Sequence, residues 1–192
     1  MVDIVVKVGG GLLAHGDLDA ALATIRAAAR ERRLLVVPGG GPFADAVRDV
    51  DRRLHLSHDA AHWMAILAMD QYAHVIADRI ADGVLVVDQR AIGAALEAGQ
   101  VPVLAPFRWL RQADPLPHTW DVTSDSIAAW VAGEVGARRL VLVKPPGALR
   151  STSEDSELMD AHFSRAVPTA VEVVVIASDQ RDGLRKAMQE PV

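Results

Sequence analysis

Two glycine triplets, each directly after an apolar run, are the residues best suited to bind a charged ligand. One lies in the segment from Lys7 to Gly11 and the other in the segment from Pro38 to Pro42. Glycine lets backbone N–H groups approach a ligand and form an anion-binding nest, and a following helix adds its positive N-terminal dipole. Tight strand-to-helix turns also use glycine. Two triplets at equivalent places, one of them beside a lysine, favour a phosphate site.

Two lysines end apolar runs in similar ways. Lys7 precedes the first glycine triplet, and Lys144 ends the run at residues 140–144 and enters a Pro-Pro-Gly loop. An ammonium group without a partner is costly to bury, so each side chain must either extend to solvent or reach an anion. The position of Lys7 next to the glycines favours the anion.

Two carboxylates, Asp121 and Asp125, flank the hydroxyls of Thr123 and Ser124. Ser124 or Asp125 could simply cap the helix predicted after this segment. A cap alone does not require Asp121, Thr123 and Asp125 together. A carboxylate at the start of this helix is also well placed to orient the two lysines.

The apolar runs alternate with helical patterns. Strands are predicted at residues 4–8, 34–37, 84–88, 101–104, 140–144 and 171–177. Helices are predicted at residues 18–33, with Asp17 as N-cap, and at 43–54, 59–81, 91–98, 126–135 and 181–189, and loops at 111–118 and 150–156. Strands without polar alternation are covered on both faces, so the pattern predicts an α/β domain with a mainly parallel sheet. Ligands of such sheets bind beyond the carboxyl ends of the strands.

Composition narrows the class of protein. The 192 residues fit one domain, and the absence of cysteine excludes disulfides and thiolate metal sites. A net charge of −5 disfavours nucleic acid as a partner. The sequence has neither a membrane-length apolar run nor the regions of a signal peptide. We therefore expect a cytoplasmic protein without a membrane partner.

Two other phosphate-binding motifs are disfavoured. No Gly-x-x-x-x-Gly-Lys-Ser/Thr sequence occurs, which excludes a Walker-type loop. Both glycine triplets match a loose dinucleotide fingerprint, but the second strand ends in Val36-Val37-Pro38 without the acidic residue that would bind a ribose. A nicotinamide cofactor is therefore not expected.

Taken in order, Lys-x-Gly-Gly-Gly, Pro-Gly-Gly-Gly and Asp-x-Thr-Ser-Asp resemble the motifs of the amino-acid-kinase superfamily. The resemblance implies a three-layer sandwich in one domain over residues 1–192, binding the acceptor through residues 1–120 and the nucleotide through 121–192. It also implies transfer of a phosphoryl group from ATP, with Mg²⁺, to a small phosphorylated acceptor. Residues 38–44, 62–65, 69–72 and 120–129 are similar to the kinases of methanofuran biosynthesis.

The resemblance also implies roles for individual residues. The catalytic residues would be Lys7, Asp125 and Lys144. ATP and its phosphates would be bound by Gly9, Gly10, Gly11, Lys144 and Gly147. The acceptor would be bound by Gly39, Gly40, Gly41, His62, Asp121 and Thr123. Mg²⁺ would be held through ATP, with no metal bound by the protein alone, and the protein would form a homo-oligomer.

One departure and one further motif leave alternatives open. Many superfamily members carry a later Gly-Gly-Met segment with a second catalytic lysine, but residues 150–177 contain no lysine. Either Lys144 or Arg150 could supply that charge, and a non-catalytic nucleotide- or anion-binding protein remains an alternative. His55, His58 and His62 have helical spacing that could bind zinc, although the glutamate of a His-Glu-x-x-His motif is missing. The alternative is that these histidines form only a helix face.

Overall fold

A computed structural model describes residues 1–149 and 158–189, which form a six-stranded sheet with helices on both faces. The strands are β1 (Ile4–Val8), β2 (Leu34–Pro38), β3 (Gly83–Val86), β4 (Val101–Leu104), β5 (Arg139–Lys144) and β6 (Glu172–Ala177). The helices in the described part are α1 (Gly11–His15), α2 (Leu18–Ala29), α3 (Gly41–Leu54), α4 (His58–Arg79), α5 (Gln89–Glu97), α6 (Phe107–Ala113), α7 (Ser124–Glu134), α8 (Phe163–Ala166) and α9 (Arg181–Gln189).

The sheet has the order β3-β4-β2-β1-β5-β6, and every neighbouring pair is parallel. Strand β1 is fully buried at the centre, and Lys7 at its end lies opposite Val37 of β2 and Leu142 of β5. Helices α2 and α9 pack on one face, while α5 and α7 pack on the other. The predicted α/β sandwich with a mainly parallel sheet is confirmed.

The predicted elements differ from the observed ones mainly at the ends and in short helices. Strands β1 and β4 and helix α9 have the predicted bounds, while α2 ends at Ala29 instead of the predicted residue 33. The predicted loop at 111–118 is wrong in part, because α6 extends to Ala113. An Asp70 carboxylate oxygen on α4 accepts a hydrogen bond from the first N–H of α6, at 3.0 Å. This support comes from a distant element and is invisible in the local sequence. The loop at 150–156 lies outside the described residues.

Of the two predicted N-caps, the position of Asp17 is confirmed and that of the cap of α7 is wrong. Asp17 stands at the N-cap position of α2, but its side chain makes no capping hydrogen bond. The N-cap of α7 is Thr123, whose hydroxyl oxygen accepts a hydrogen bond from the Asp125 N–H, rather than Ser124 or Asp125. Asp125 is thereby the second residue of the helix, inside its first turn.

The two glycine loops touch each other. A Cβ atom added to Gly10 would lie 2.2 Å from the amide nitrogen of Gly41, and one added to Gly39 would lie 2.7 Å from that of Gly10. Gly41 also has a φ of +56°, in the left-handed region that favours glycine. The close contact between the loops therefore requires glycine on both sides.

A histidine joins α4, the end of α6 and the segment at residues 114–123. The ring nitrogens Nδ1 and Nε2 of His118 lie 2.6 Å from an oxygen of Asp59 and 2.8 Å from an oxygen of Asp114. Hydrogen bonds to these two carboxylates raise the pKa of His118. In the imidazolium form both nitrogens donate. The protonated ring therefore fixes the segment that leads into Thr119 and Trp120.

Among the described helices, none is long and apolar enough to cross a membrane.

The His118 contacts predict a pH-dependent stability. The folded-state pKa of His118 is raised above its ordinary 6.5, so its stabilisation is complete below about pH 6.5 and is lost as pH rises through the raised value. The pKa of Asp59 is lowered from 3.8, mainly by its hydrogen bond to His118, so the contribution is also lost at acid pH. We expect His118→Gln to lower the melting temperature more at pH 6 than at pH 9.

Thermal unfolding of both proteins at the two pH values measures this difference. His15→Gln, at an exposed histidine in the last turn of α1, is the control. An equal effect of His118→Gln at pH 6 and pH 9 would show that the charge of His118 contributes nothing.

Candidate functional site

The centre of the site is a carboxylate held between two lysines. Lys7 Nζ lies 2.9 Å from one oxygen of Asp125, and Lys144 Nζ lies 2.6 Å from the other. The three side chains are 6%, 13% and 6% exposed for Lys7, Lys144 and Asp125. Lys7 and Lys144 meet because β1 and β5 are adjacent parallel strands whose carboxyl ends share one edge of the sheet. The first turn of α7 brings Asp125 to that edge.

The charges of this cluster control its titration. Burial raises the pKa of Asp125, but the ammonium groups of Lys7 and Lys144 outweigh burial and hold that pKa below its ordinary value. Burial and the charge of Lys7 lower the pKa of Lys144, and Asp125 opposes this shift. With both lysines in the ammonium form, the cluster carries one surplus positive charge. A buried surplus charge favours binding of an anion.

A cavity of about 360 Å³ opens in front of the two glycine loops. Gly10, Gly11, Gly40 and Gly41 line it on one side, and Thr123 and Ser124 line it on another. Its apolar wall is formed by small and aliphatic side chains: Ala44, Ala61, Ala65, Ile66, Met69, Val122 and Ile127. We call this space the glycine-side cavity. It combines backbone donors with a mainly apolar wall, which is typical of a site for a small anionic molecule.

Only some of the glycines predicted to bind phosphate present a free N–H group. The Gly9 N–H donates to the Val143 carbonyl at 2.9 Å, and the Gly39 N–H donates to the Val8 carbonyl at 2.8 Å. These two groups join the loops to the sheet, so the prediction that they donate to a ligand is wrong. Gly10 and Gly40 are the N-cap residues of α1 and α3. The first N–H groups of a helix have no acceptor within it, so those of the remaining four glycines can bind a ligand.

A second cavity of about 360 Å³ lies on the Lys144 side of the cluster. It is lined by Trp120, Asp121, Thr123, Asp125, Lys144, Leu158, Met159, Asp160 and Ala161. We call it the lysine-side cavity. Trp120 and Thr123 line both cavities. Asp121, which the sequence placed with the acceptor residues, lines only the lysine-side cavity, and Gly147 lines neither of the two.

The wall shared by the cavities is held by α3. The Trp120 indole N–H donates to Asp51 at 2.8 Å, and the Arg48 guanidinium lies 5.1 Å from the centre of the Trp120 ring. Arg48 also forms a 2.8 Å ion pair with Asp45. Asp45, Arg48 and Asp51 all line the glycine-side cavity. The cavity therefore carries both charge signs on its α3 side.

His62, which the sequence placed with the acceptor residues, lines the glycine-side cavity. Its ring stacks on His118 with centroids 4.1 Å apart. Burial and the neighbouring His118 lower the pKa of His62 to about 4, so the ring is neutral at physiological pH. The spacing of His55, His58 and His62 does not form a metal site. Over residues 1–149 and 158–189, no group of three or more histidine, aspartate or glutamate side chains could hold a metal ion.

Sequence reasoning missed Asp160, Asp51 and Tyr72. Asp160 lies on the lysine-side cavity and accepts hydrogen bonds from the segment that carries Asp125. The buried Tyr72 hydroxyl donates to the Gly9 carbonyl at 3.4 Å and so supports the first glycine loop. Asp160 and Asp51 belong to no recognisable motif, and Tyr72 lies in the segment at residues 69–72, for which the resemblance implied no role. Tyr72 and Asp51 bond to residues 63 and 69 positions away, and Asp160 bonds to a residue 37 positions away. Only the fold reveals contacts over such separations.

Comparison with known proteins supports the family suggested by the motifs. The sequence pattern of the Amino acid kinase family matches residues 4–145. A curated relative, the [5-(aminomethyl)furan-3-yl]methyl phosphate kinase of Methanocaldococcus jannaschii, is 28% identical over 144 residues, covering 72% of this chain and 63% of the relative. The chain thus spans less than two thirds of that relative's length.

Solved structures show the same fold. The uridylate kinase from Archaeoglobus fulgidus has a TM-score of 0.68 and 16% identity, covering 99% of this chain and 97% of its own. The UMP kinase from Ureaplasma parvum has a TM-score of 0.71 and 16% identity, covering 99% of this chain and 96% of its own. The family pattern spans both glycine loops, Asp125 and Lys144, which is well over half of the chain. The chain therefore belongs to the amino acid kinase family.

Proposed function

We propose that the protein is an ATP-dependent kinase that transfers the γ-phosphoryl group to a small phosphorylated acceptor. The observation that carries this proposal is the Lys7–Asp125–Lys144 cluster, which lies at the edge of the sheet where the two cavities approach each other. Phosphoryl transfer requires in-line positioning of the reactants and neutralisation of the charge on the moving group. A buried cluster with one surplus positive charge supplies the second requirement.

The two cavities separate the reactants. The glycine-side cavity takes the acceptor, with Gly40 and Gly41 at the start of α3 donating to its phosphate. The lysine-side cavity takes ATP, with Lys144 on its phosphates, while Gly10 and Gly11 donate to the transferred phosphoryl group from the glycine-side cavity. An acceptor phosphate is already an anionic nucleophile, so the reaction needs no general base. The neutral His62 ring is suited to an acceptor contact.

The contact with Asp125 supports Lys144 as the second cation. The sequence left Lys144 and Arg150 as candidates, and Arg150 lies outside the described residues. Lys144 shares one carboxylate with Lys7, so both ammonium groups are oriented together. Mg²⁺ arriving with ATP would neutralise further phosphate charge, and Asp121 offers a carboxylate in the same cavity.

For the acceptor itself, we propose an aminomethylfuran-methyl phosphate. The 28% identical relative is named for that substrate. The glycine-side cavity has the size and the apolar wall that a small ring requires. Asp45 lies on its lining, beside its ion-pair partner Arg48, where a carboxylate can contact an amine, whereas Asp59 and Asp70 do not line this cavity. The homo-oligomer and the cytoplasmic location stay predictions from the sequence.

The first test is Mg-ATP consumption by the purified protein with separate acceptors: the aminomethylfuran phosphate, isopentenyl phosphate, UMP, acetylglutamate and aspartate. We expect turnover with the furan phosphate. Turnover with a different acceptor alone would support the kinase activity and contradict the proposed acceptor. ATP binding without turnover of any acceptor would contradict the proposal and favour a non-catalytic nucleotide-binding protein.

Loss of Lys7 should remove activity and retain the fold. In Lys7→Met the remaining Asp125–Lys144 pair is neutral, so the buried carboxylate keeps a partner. We expect kcat to fall by about 10²–10³, by analogy with the loss of one preorganised oxyanion donor. Steady-state kinetics and circular dichroism measure the two effects. Lys186→Met, at an exposed lysine on α9, is the matched control. Wild-type kcat in folded Lys7→Met would refute the mechanism.

The lowered pKa of Lys144 predicts loss of activity at alkaline pH. Burial and Lys7 lower this pKa below the ordinary 10.5, so the ammonium group loses its proton earlier than an exposed lysine. In Asp125→Asn the opposing carboxylate is absent, and the alkaline limb of the kcat profile should move to lower pH. Asp182→Asn, at an exposed carboxylate on α9, should leave it in place. An unmoved limb in Asp125→Asn would mean that Lys144 does not control it.

A further inference from the structure

Asp160 accepts five hydrogen bonds from residues that the structure describes, four of them from the segment that carries Asp125. Its Oδ2 atom accepts from the Thr123 N–H at 2.9 Å, the Thr123 hydroxyl at 2.7 Å and the Ser126 N–H at 3.0 Å. Its Oδ1 atom accepts from the Ser126 hydroxyl and from the His162 N–H, the latter at 3.2 Å. The carboxylate is therefore fixed from several directions.

These bonds enclose Asp125. Thr123 is the N-cap of α7, and Ser126 is the third residue of that helix. Asp160 thus takes two of the N–H groups that the first turn of the helix leaves without an internal acceptor. Because the Thr123 hydroxyl donates to Asp160, its oxygen remains able to accept from the Asp125 N–H. The backbone on both sides of Asp125 is consequently tied to one side chain about 35 residues later.

The same bonds exclude two other roles for Asp160. An ionised carboxylate offers about four lone-pair sites, and five donors already surround this one. Little capacity is left to bind Mg²⁺ or to accept a proton from a substrate. Asp121 lines the same cavity and makes no comparable set of side-chain bonds among the described residues. Asp121, rather than Asp160, is the carboxylate available to a ligand.

Asp160 also acts on Lys144 through its charge. Both residues line the lysine-side cavity. Burial and the charge of Lys7 lower the pKa of Lys144, while Asp125 and, more weakly, Asp160 oppose that shift. A residue that only caps α7 need not line the same cavity as Lys144. The position of Asp160 therefore links the geometry of α7 to the charge of the cluster.

We propose that Asp160 is a positioning residue of the phosphoryl-transfer site, which holds the first turn of α7 so that Asp125 keeps Lys7 and Lys144 together. This inference rests on the proposed kinase function. Asp160 touches neither reactant in this role. Its effect reaches the reaction through Thr123, Ser126 and Asp125.

The test compares Asp160→Asn with Asp88→Asn. The asparagine keeps the shape of the side chain but replaces one acceptor oxygen with a donor, so it cannot accept the five bonds. Asp88 caps α5 through one bond, from the Ala91 N–H at 2.8 Å, and lines neither cavity. We expect Asp160→Asn to lower kcat by about 10–100-fold, as loss of an outer-shell partner does at metal sites, with the acceptor KM little changed. Asp88→Asn, whose amide oxygen can still accept the cap bond, should leave kcat and KM unchanged.

A second readout does not depend on turnover. The titration of Lys144 can be followed by NMR of its ¹³Cε methylene group, assigned with Lys144→Met. We expect a lower pKa of Lys144 in Asp160→Asn and an unchanged one in Asp88→Asn. If the wild-type protein turns over no acceptor, the kinase proposal fails, and the titration in Ser126→Ala, which keeps the charge of Asp160 and removes one of its hydrogen bonds, still tests whether Asp160 positions the cluster.

Two results would overturn the inference. One is an Asp160→Asn protein that is less stable but has wild-type kcat and an unmoved Lys144 titration, which would make Asp160 a helix cap alone. If Asp160→Asn does not fold, Ser126→Ala replaces it, because this change removes one hydroxyl donor to Asp160. A smaller fall in kcat together with a lower Lys144 pKa is then expected. Wild-type values for both in Ser126→Ala would equally refute the inference.

Discussion

A buried carboxylate shared by two lysines is the interaction on which the rest of this structure depends. A single charge in the interior of a protein is unfavourable, and removing one partner of a buried pair leaves the other uncompensated. Lys7, at the end of β1, and Lys144, at the end of β5, therefore both depend on Asp125 as their buried counter-charge. The pairing of β1 with β5 and the packing of α7 bring these three residues together. A cluster held in this way keeps a positive charge in place before any ligand arrives.

The contact between the two glycine loops is the second constraint. Gly10 and Gly41 approach so closely that a side chain on Gly10 would overlap the backbone of the other loop. The starts of α1 and α3 consequently face a single cavity with their unpaired N–H groups. The N–H groups of Gly9 and Gly39 are used instead to join the loops to the sheet. Within each triplet, one glycine serves the fold and the others can serve a ligand.

The segment at residues 114–125 forms a wall of both cavities and is fixed from three directions. His118 bonds to Asp59 and Asp114, and the Trp120 indole bonds to Asp51 on α3. At its far end, Thr123 bonds to Asp160. These contacts hold an irregular segment without a strand or helix of its own until α7 begins. Preorganisation of this kind reduces the reorganisation that a charged reactant would otherwise demand.

The sequence by itself determined the strands, the class of fold and the residues of the central cluster. Buried parallel strands are continuous apolar runs, so β1 and β4 were predicted with their observed bounds. A lysine at the end of such a run must extend to solvent or reach an anion, which drew attention to Lys7 and Lys144, and Asp125 stood out as a carboxylate at a helix start. The motifs around them were sufficient to suggest the family that the comparison confirmed.

Only the tertiary structure decided which of these residues meet and which remain available to a ligand. Strand order places β5 beside β1, although more than 130 residues separate Lys7 from Lys144, and no local pattern records that pairing. Neighbours distant in sequence also decide that the Gly9 and Gly39 N–H groups bond to the sheet and that α6 begins at a contact with Asp70. They decide as well on which side of the cluster Asp121 lies. The same holds for Asp160, whose role depends on five donors gathered around it by the fold, because hydrogen bonds between distant segments leave no periodicity in the chain.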